Sequence, residues 1–379
     1  MKVRLSAFFI SLVALLWLAP ALAQAPEPPP TKAKGFLLMD HNTGMVIAEA
    51  NADEPLEPAS LTKIVTAYTV FRVLAEGELS LEDEVLVSER AWRTKGSRTF
   101  IDVGSRVSVE DLLMGMIVQS GNDASVALAE HVAGTEAAFA DLMNAHAERL
   151  GATSSHFTNA TGLTEPNHYT TARDIALIAS ALIREFPDQY ARYKVKEFVY
   201  NDIKQGNRNL LLYRDDSVDG MKTGYTVAAG YCLVASAKRD GMRLISVVMG
   251  TDGPEQRARE SLALLNYGFR FFESHLLYKG GAAVEQLRVW KGATAEVPVG
   301  PEQDLYVTIP SGQYKGLSAG LEPAPPSEAP LSAGDRLGVV VINLDGEEVR
   351  RVPVVALRDV PRGNLWRWLV DSVLLLFQA

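Results

Sequence analysis

The sequence predicts an α+β domain over residues 35–275, a small all-β domain over 276–358 and an amphipathic C-terminal helix over 361–379. Three observations carry this. β-prone runs open and close the first region while helical periodicity fills its middle, the order of an α+β fold rather than of alternating βαβ units. Residues 276–358 hold only short alternating runs separated by turn residues, which reads as all-β. From residue 361 the apolar period is again that of a helix.

The chain opens on "MKVRLSAFFISLVALLWLAPALA", a basic start, an apolar run and the small-residue site Ala21-Leu22-Ala23. That is the pattern of a secretory signal cleaved after Ala23, so residues 1–23 are assigned as a signal peptide. Residues 24–34 are a proline-rich extended leader. Two apolar runs then flank Asn42-Thr43-Gly44, a hairpin signal. From Ser60, the residues Ile64, Ala67, Phe71 and Leu74 recur at helical spacing. Residues 108–150 are helical, with Ser108 and Asp111 in capping positions, a break at Ser120-Gly121-Asn122 and a stop at Gly151. "TTARDIALIASALIREFP" is a further helix, opened by threonine and closed before Pro187. "YCLVASAKRDGMRLISVVMG" is a hairpin turning at Arg239-Asp240-Gly241, and the helix "RARESLALLNYGFRFFESH" closes the region near residue 275.

In the all-β region, "LRVWKG", "LYVTIP", "RLGVVVINL" and "EVRRVPVVAL" are the strands, and Asp345-Gly346 is a hairpin turn. It contains no catalytic constellation. In the tail, Asn364, Arg367, Asp371 and Gln378 fall on one polar stripe, with Leu, Val, Trp and Phe around the rest. A helix from Asn364 is about 24 Å long, short of the ~30 Å hydrocarbon core. Trp366 and Trp368 with Arg362 and Arg367 suit a helix lying in the membrane interface; the competing reading docks it on the protein's own core.

Charge narrows the function classes. Net charge is −9 and charged residues are 22% of the chain, which argues against nucleic acid as the partner, since phosphate binding needs a basic face. The lone cysteine, Cys232, has no internal disulfide partner and reads as a buried packing residue. The six histidines are scattered and no H-E-x-x-H occurs, so no metal or other cofactor is expected.

Chemistry is concentrated in three short stretches. Ser60 and Lys63 lie three apart at a helix start, on one face, where a neutral amine takes the serine proton and the helix N-terminus favours an oxyanion. Alone, the pair also reads as a capping serine and a surface lysine. Ser120-Gly121-Asn122 interrupts an apolar helix, either as a turn or as the lining of a cleft. Lys222-Thr223-Gly224 precedes a strand, either as a hairpin end or as a point where glycine admits a substrate to the strand edge.

The triple "SLTK", "SGN" and "KTG", in this order, resembles the motif set of the serine penicillin-recognising enzymes. "EPASLTKIVTAY", "FTNATGL", "HYTTARDIALIA" and "DGMKTGYTVAAGYCLVASAKRDGMRLISVVMG" narrow the resemblance to the low-molecular-mass penicillin-binding proteins that act as D-alanyl-D-alanine carboxypeptidases. It runs the length of the chain and is densest over 36–275.

The resemblance implies a β-lactamase/transpeptidase-like catalytic domain, an antiparallel sheet with helices. It makes Ser60 the acylated nucleophile, Lys63 its base and Ser120 a proton relay. It gives Asn122 the substrate amide, Lys222, Thr223 and Gly224 the terminal carboxylate, and the backbone N–H groups of Ser60 and Tyr225 the oxyanion. Arg257 matches a further arginine for the carboxylate. The charge on Lys222 is expected to keep Lys63 neutral. Implied partners are the peptidoglycan pentapeptide, β-lactam antibiotics and, through the tail helix, the periplasmic face of the bacterial inner membrane. An endopeptidase of the same fold and a non-catalytic wall-binding or penicillin-sensing module are the alternatives. A class A β-lactamase fits less well, because Glu165 in "TEPNHYTT" is not in an E-x-x-L-N arrangement.

Overall fold

The protein is seen here as a computed structural model describing residues 25–377. The signal peptide assigned to residues 1–23 and the stripe residue Gln378 lie outside the described residues. β1 (Gly35–Asp40) and β2 (Val46–Ala50) form the first hairpin. β3 (Val218–Thr226), β4 (Gly230–Arg239) and β5 (Met242–Thr251) complete an antiparallel five-stranded sheet of order β2-β1-β5-β4-β3. Lys222-Thr223-Gly224 therefore lies inside its own strand at the edge of the sheet, not in a hairpin end ahead of one.

The sheet is covered on both faces, which explains the nearly unbroken apolar runs in its strands. Leu37 and Met39 of β1 join one core while Phe36 and Leu38 join the other, the period-2 alternation of a strand. Cys232 and Val234 of β4 likewise face one way, Leu233 and Ala235 the other. One core is built with α1 (Thr62–Ala75), α2 (Val109–Met114), α3 (Asn122–Ala133), α4 (Glu136–Arg149) and α5 (Ala172–Glu185). α6 (Pro254–Phe271) covers the opposite face. The capping signals hold: Ser108 Oγ accepts Asp111 N–H at 3.0 Å, and Thr171 Oγ1 accepts Asp174 N–H at 3.0 Å.

The break expected at Ser120-Gly121-Asn122 is found there: a π-type turn over Gly115–Gln119 ends at Ser120 in the left-handed region, and α3 starts at Asn122. The end of the last helix differs from expectation. α6 stops at Phe271, not near residue 275, and Phe272–Tyr278 is β6. "FFESH" continues a helical period, but it finds a long-range partner strand that local periodicity does not contain.

That partner belongs to the second domain. Its strands are β7 (Glu285–Trp290), β8 (Glu296–Gly300), β9 (Leu305–Pro310), β10 (Leu317–Pro323), β11 (Ser327–Glu328), β12 (Arg336–Leu344) and β13 (Glu347–Ala356). β6 pairs antiparallel with β9, and the others form one sheet of order β10-β12-β13-β8-β7-β11 around a core that includes Val297, Val299, Val340 and Ile342. α7 (Leu365–Leu375) follows, capped by Asn364, whose side chain accepts Arg367 N–H at 3.0 Å.

Candidate active site

The turn Ala59–Leu61 that carries Ser60 into α1 is held from two sides. Gly224 on β3 passes so close that a Cβ there would lie 3.0 Å from Pro58 O and 3.2 Å from Ser60 N. Gly162 has φ +80, and a Cβ there would lie 1.8 Å from Ala59 O. Glycine in KTG is thus required for the strand to approach the serine turn itself, a tighter constraint than the expected approach of a substrate. Ala59 is pressed into φ +47, a conformation that an L-residue adopts at a cost of about 1 kcal/mol or more.

Lys63, one turn on, is buried, and its Nζ has three neighbours. It donates to Asn122 Oδ1 at 2.6 Å and to Thr161 O at 2.6 Å, and lies 3.1 Å from Ser60 Oγ. The Asn122 amide is oriented by its own Nδ2, which donates to Lys95 O at 2.6 Å. Two N–H bonds are therefore committed, and the third position points at the serine. Burial, aided by the charge of Arg208, pulls the amine down to about 7.

Ser120 sits at φ +68 with its Oγ buried and without a hydrogen-bond partner. A buried hydroxyl left open next to a cleft is a place waiting for a ligand atom. Ser60, Ser120, Asn122, Thr223, Gly224, Tyr225 and Arg257 all line one cleft of about 420 Å³. Three stretches far apart in the sequence, around Ser60, Ser120 and Thr223, thus meet in one cleft.

Residues 22–253 match the D-alanyl-D-alanine carboxypeptidase family, and residues 272–362 match the C-terminal domain of penicillin-binding protein 5. The chain belongs to the D-alanyl-D-alanine carboxypeptidase family. D-alanyl-D-alanine carboxypeptidase DacC of Escherichia coli (strain K12) is 44% identical over 365 residues, covering 94% of this chain and 91% of that one. DacA of Haemophilus influenzae is 40% identical over 386 residues, covering 99% and 98%. The crystal structure of penicillin binding protein 5 from Haemophilus influenzae superposes with a TM-score of 0.84 at 41% identity, covering 89% of this chain and all of that one. The family's transpeptidase-like fold, with its antiparallel sheet and appended all-β domain, is the fold described above.

Within this carboxypeptidase cleft, some expected residues stand differently from the sequence reading. Lys222 does not line the cleft: it is buried, its Nζ donates to Thr223 O at 3.0 Å, and burial together with Lys63, Arg208 and Arg257 holds it well below the ordinary lysine range. Lys63 and Lys222 thus oppose each other's charge, and Arg208 is the leading charge that lowers Lys63. Arg257, from the first turn of α6, donates from Nη1 to Gly224 O at 2.8 Å and to Cys232 O at 3.3 Å, and lies 5.4 Å over the Tyr231 ring. Burial lowers it to about 10, so it stays charged at neutral pH. Tyr225 is half exposed and stacks on Tyr231 at 4.3 Å.

Sequence reasoning missed Arg208 and Thr161. Arg208 lines the cleft, is exposed, and makes no hydrogen bond or ion pair with a described residue. Its backbone is held by neighbours on both sides: Asn207 Nδ2 donates to Val195 O at 3.0 Å and Asn209 Nδ2 to Gly220 O at 2.9 Å. The flanking pair in "NRN" was the available signal. Thr161 contributes only its carbonyl. Asn159 Oδ1 accepts from Thr161 N at 3.1 Å, Thr161 Oγ1 at 2.9 Å and Gly162 N at 2.8 Å, and that local turn aims the carbonyl at Lys63. "FTNATGL" carried it unnoticed. Two arginines and no acidic side chain line the cleft among the described residues, and Glu165 is exposed elsewhere.

Proposed function

We propose that this cleft removes the terminal D-alanine from peptidoglycan pentapeptide stems through an acyl-enzyme on Ser60. The observation that carries the reading is the hydrogen-bond count at Lys63. With two N–H bonds given to Asn122 Oδ1 and Thr161 O, the neutral amine turns its lone pair toward Ser60 Oγ at 3.1 Å. Ser60 Oγ–H donates to it, and the oxygen attacks the carbonyl between the two D-alanines. The backbone N–H groups of Ser60 and Tyr225 stabilise the oxyanion. Ser120, whose hydroxyl is otherwise unpartnered, passes the proton to the departing amine. Water then enters by the reverse path and frees Ser60.

The preference for the chain end follows from charge. A terminal carboxylate brings one anion into a cleft that offers Arg208 and Arg257 and no competing acid among its described lining. An internal bond brings none. The open edge of β3 offers backbone groups for an extended peptide laid alongside it. A β-lactam presents the same carbonyl and carboxylate, and acylates the same serine.

The enzyme works outside the cytoplasm, on the periplasmic face of the inner membrane, after removal of residues 1–23. Support for the surface attachment comes from α7. Its one buried residue is Asp371, while Leu365, Trp366, Leu369, Val373 and Leu374 are exposed. This is the reverse of a helix packed on its own protein in water. Eleven residues span about 16 Å, so the helix lies on the bilayer rather than across it.

The test is mass spectrometry of products from purified wall fragments, with labelled penicillin in parallel. One D-alanine per pentapeptide, together with penicillin attached at Ser60 and lost in Ser60→Ala, is expected. Faster splitting of cross-linked dimers would reassign the enzyme as an endopeptidase, and labelling that survives Ser60→Ala would end the nucleophile assignment.

A further inference from the structure

The way α7 is held to the second domain carries a separate inference, which rests on the membrane reading above. Lys291, in the turn between β7 and β8, has φ +58, and both of its backbone groups are taken by the tail. Its C=O accepts Gly363 N–H at 2.8 Å, just before the helix, and its N–H donates to Asp371 Oδ2 at 2.6 Å, two turns into it. Ala293 N–H adds a bond to Pro361 O at 2.8 Å. Gly363 has no room for a side chain, since a Cβ there would lie 2.7 Å from Gly292 O. Asp371 is also faced by Arg288 Nη2 at 3.9 Å, and Lys291 Nζ lies 5.6 Å over the Trp368 ring while pairing with Glu328 at 2.7 Å.

Such an arrangement grips the helix by a carboxylate and leaves its apolar side chains outside. In water it gains little, because a buried carboxylate costs free energy unless fully paired and the exposed Leu, Val and Trp gain nothing. Against a bilayer the apolar term turns favourable. The apolar side enters the acyl boundary, and Arg362 and Arg367 meet anionic headgroups.

We propose that Asp371 clamps α7 rigidly to the turn at Lys291, so that the helix seats the second domain on a lipid surface in one fixed orientation. The tail is then a foot and not a flexible tether.

The experiment uses the full chain with spin labels at Leu374→Cys and Glu285→Cys, Cys232 being buried. On vesicles of phosphatidylcholine with one-third phosphatidylglycerol, a single narrow label–label distance is expected. Asp371→Ala should broaden it and speed amide exchange at Lys291 roughly ten- to hundredfold, the loss of a charge-assisted hydrogen bond. Vesicle affinity should stay within about twofold, because the apolar side is unchanged. Asp371→Asn keeps one acceptor oxygen and should restore the narrow distance. Penicillin labelling of Ser60 serves as the control for folding. Distances and exchange that are unchanged in Asp371→Ala would remove the clamp while leaving the membrane reading intact. A wild-type chain that ignores vesicles, or one that pairs with a second copy through α7 instead, would remove the bilayer from both.

Discussion

The base should reveal itself in the acid limb of the acylation rate, and Arg208 should set where that limb falls. A free lysine amine at pH 7 is neutral in about three molecules in ten thousand. At a pKa of about 7, Lys63 is neutral about half of the time, a gain on the order of a thousandfold in the reactive form. Burial is the larger cause and Arg208 the leading charge. A unit charge on the order of 10 Å away, acting through an effective dielectric of about 20, is worth about 1.7 kcal/mol, or a little over one pKa unit. Arg208→Gln should therefore move the limb upward by roughly one unit. The assay is the second-order rate of Ser60 acylation by penicillin between pH 5 and pH 9. Wild type should lose about tenfold per unit below the limb. The position of the limb, not its height, is diagnostic, since Arg208 is also proposed to meet the ligand carboxylate. A limb that stays in place in Arg208→Gln would refute the electrostatic argument. A flat profile from pH 6 to pH 8 would remove Lys63 as the base.

Other outcomes follow from single contacts. Gly162→Ala places a methyl group 1.8 Å from Ala59 O at φ +80, and should cost roughly 2–4 kcal/mol in urea unfolding as well as slowing acylation. Arg257→Gln should lower kcat/KM for a D-Ala-D-Ala peptide by roughly a hundredfold while leaving a C-terminally amidated peptide nearly unaffected. His168 is buried and lowered to about 4, mainly by burial. Its Nδ1 accepts Thr158 N–H at 3.0 Å, so Nε2–H donates to Thr62 Oγ1 at 2.9 Å. Between pH 6.5 and pH 4 the unfolded chain binds this proton and the folded chain does not, so stability falls as pH falls through that window. At pH 5 the loss is about 2 kcal/mol, and His168→Gln should flatten the fall of Tm with acid by about that amount.

Much of this protein was legible in its linear order. Ser60 and Lys63 are neighbours on one turn, so their meeting needs only a helix. The caps at Ser108 and Thr171, the hairpin turn at Asp345-Gly346 and the alternating strands of the second domain are local devices with local signatures. Motif order added the family resemblance, because three short stretches at long spacing are hard to assemble by chance. The tertiary fold decided what local pattern does not contain. It made Phe272–Tyr278 a strand by offering β9, and put KTG inside an edge strand pressed against the serine turn. It buried Lys222 and lowered its affinity for a proton, and it brought Arg208, an arginine between two asparagines, into the cleft as the leading charge on the base. It also turned Asp371 inward and the apolar side of α7 outward, where periodicity alone allowed either face to be the buried one. Burial and the approach of distant charges set both ionisation and partner choice, and neither quantity is defined until the chain has closed on itself.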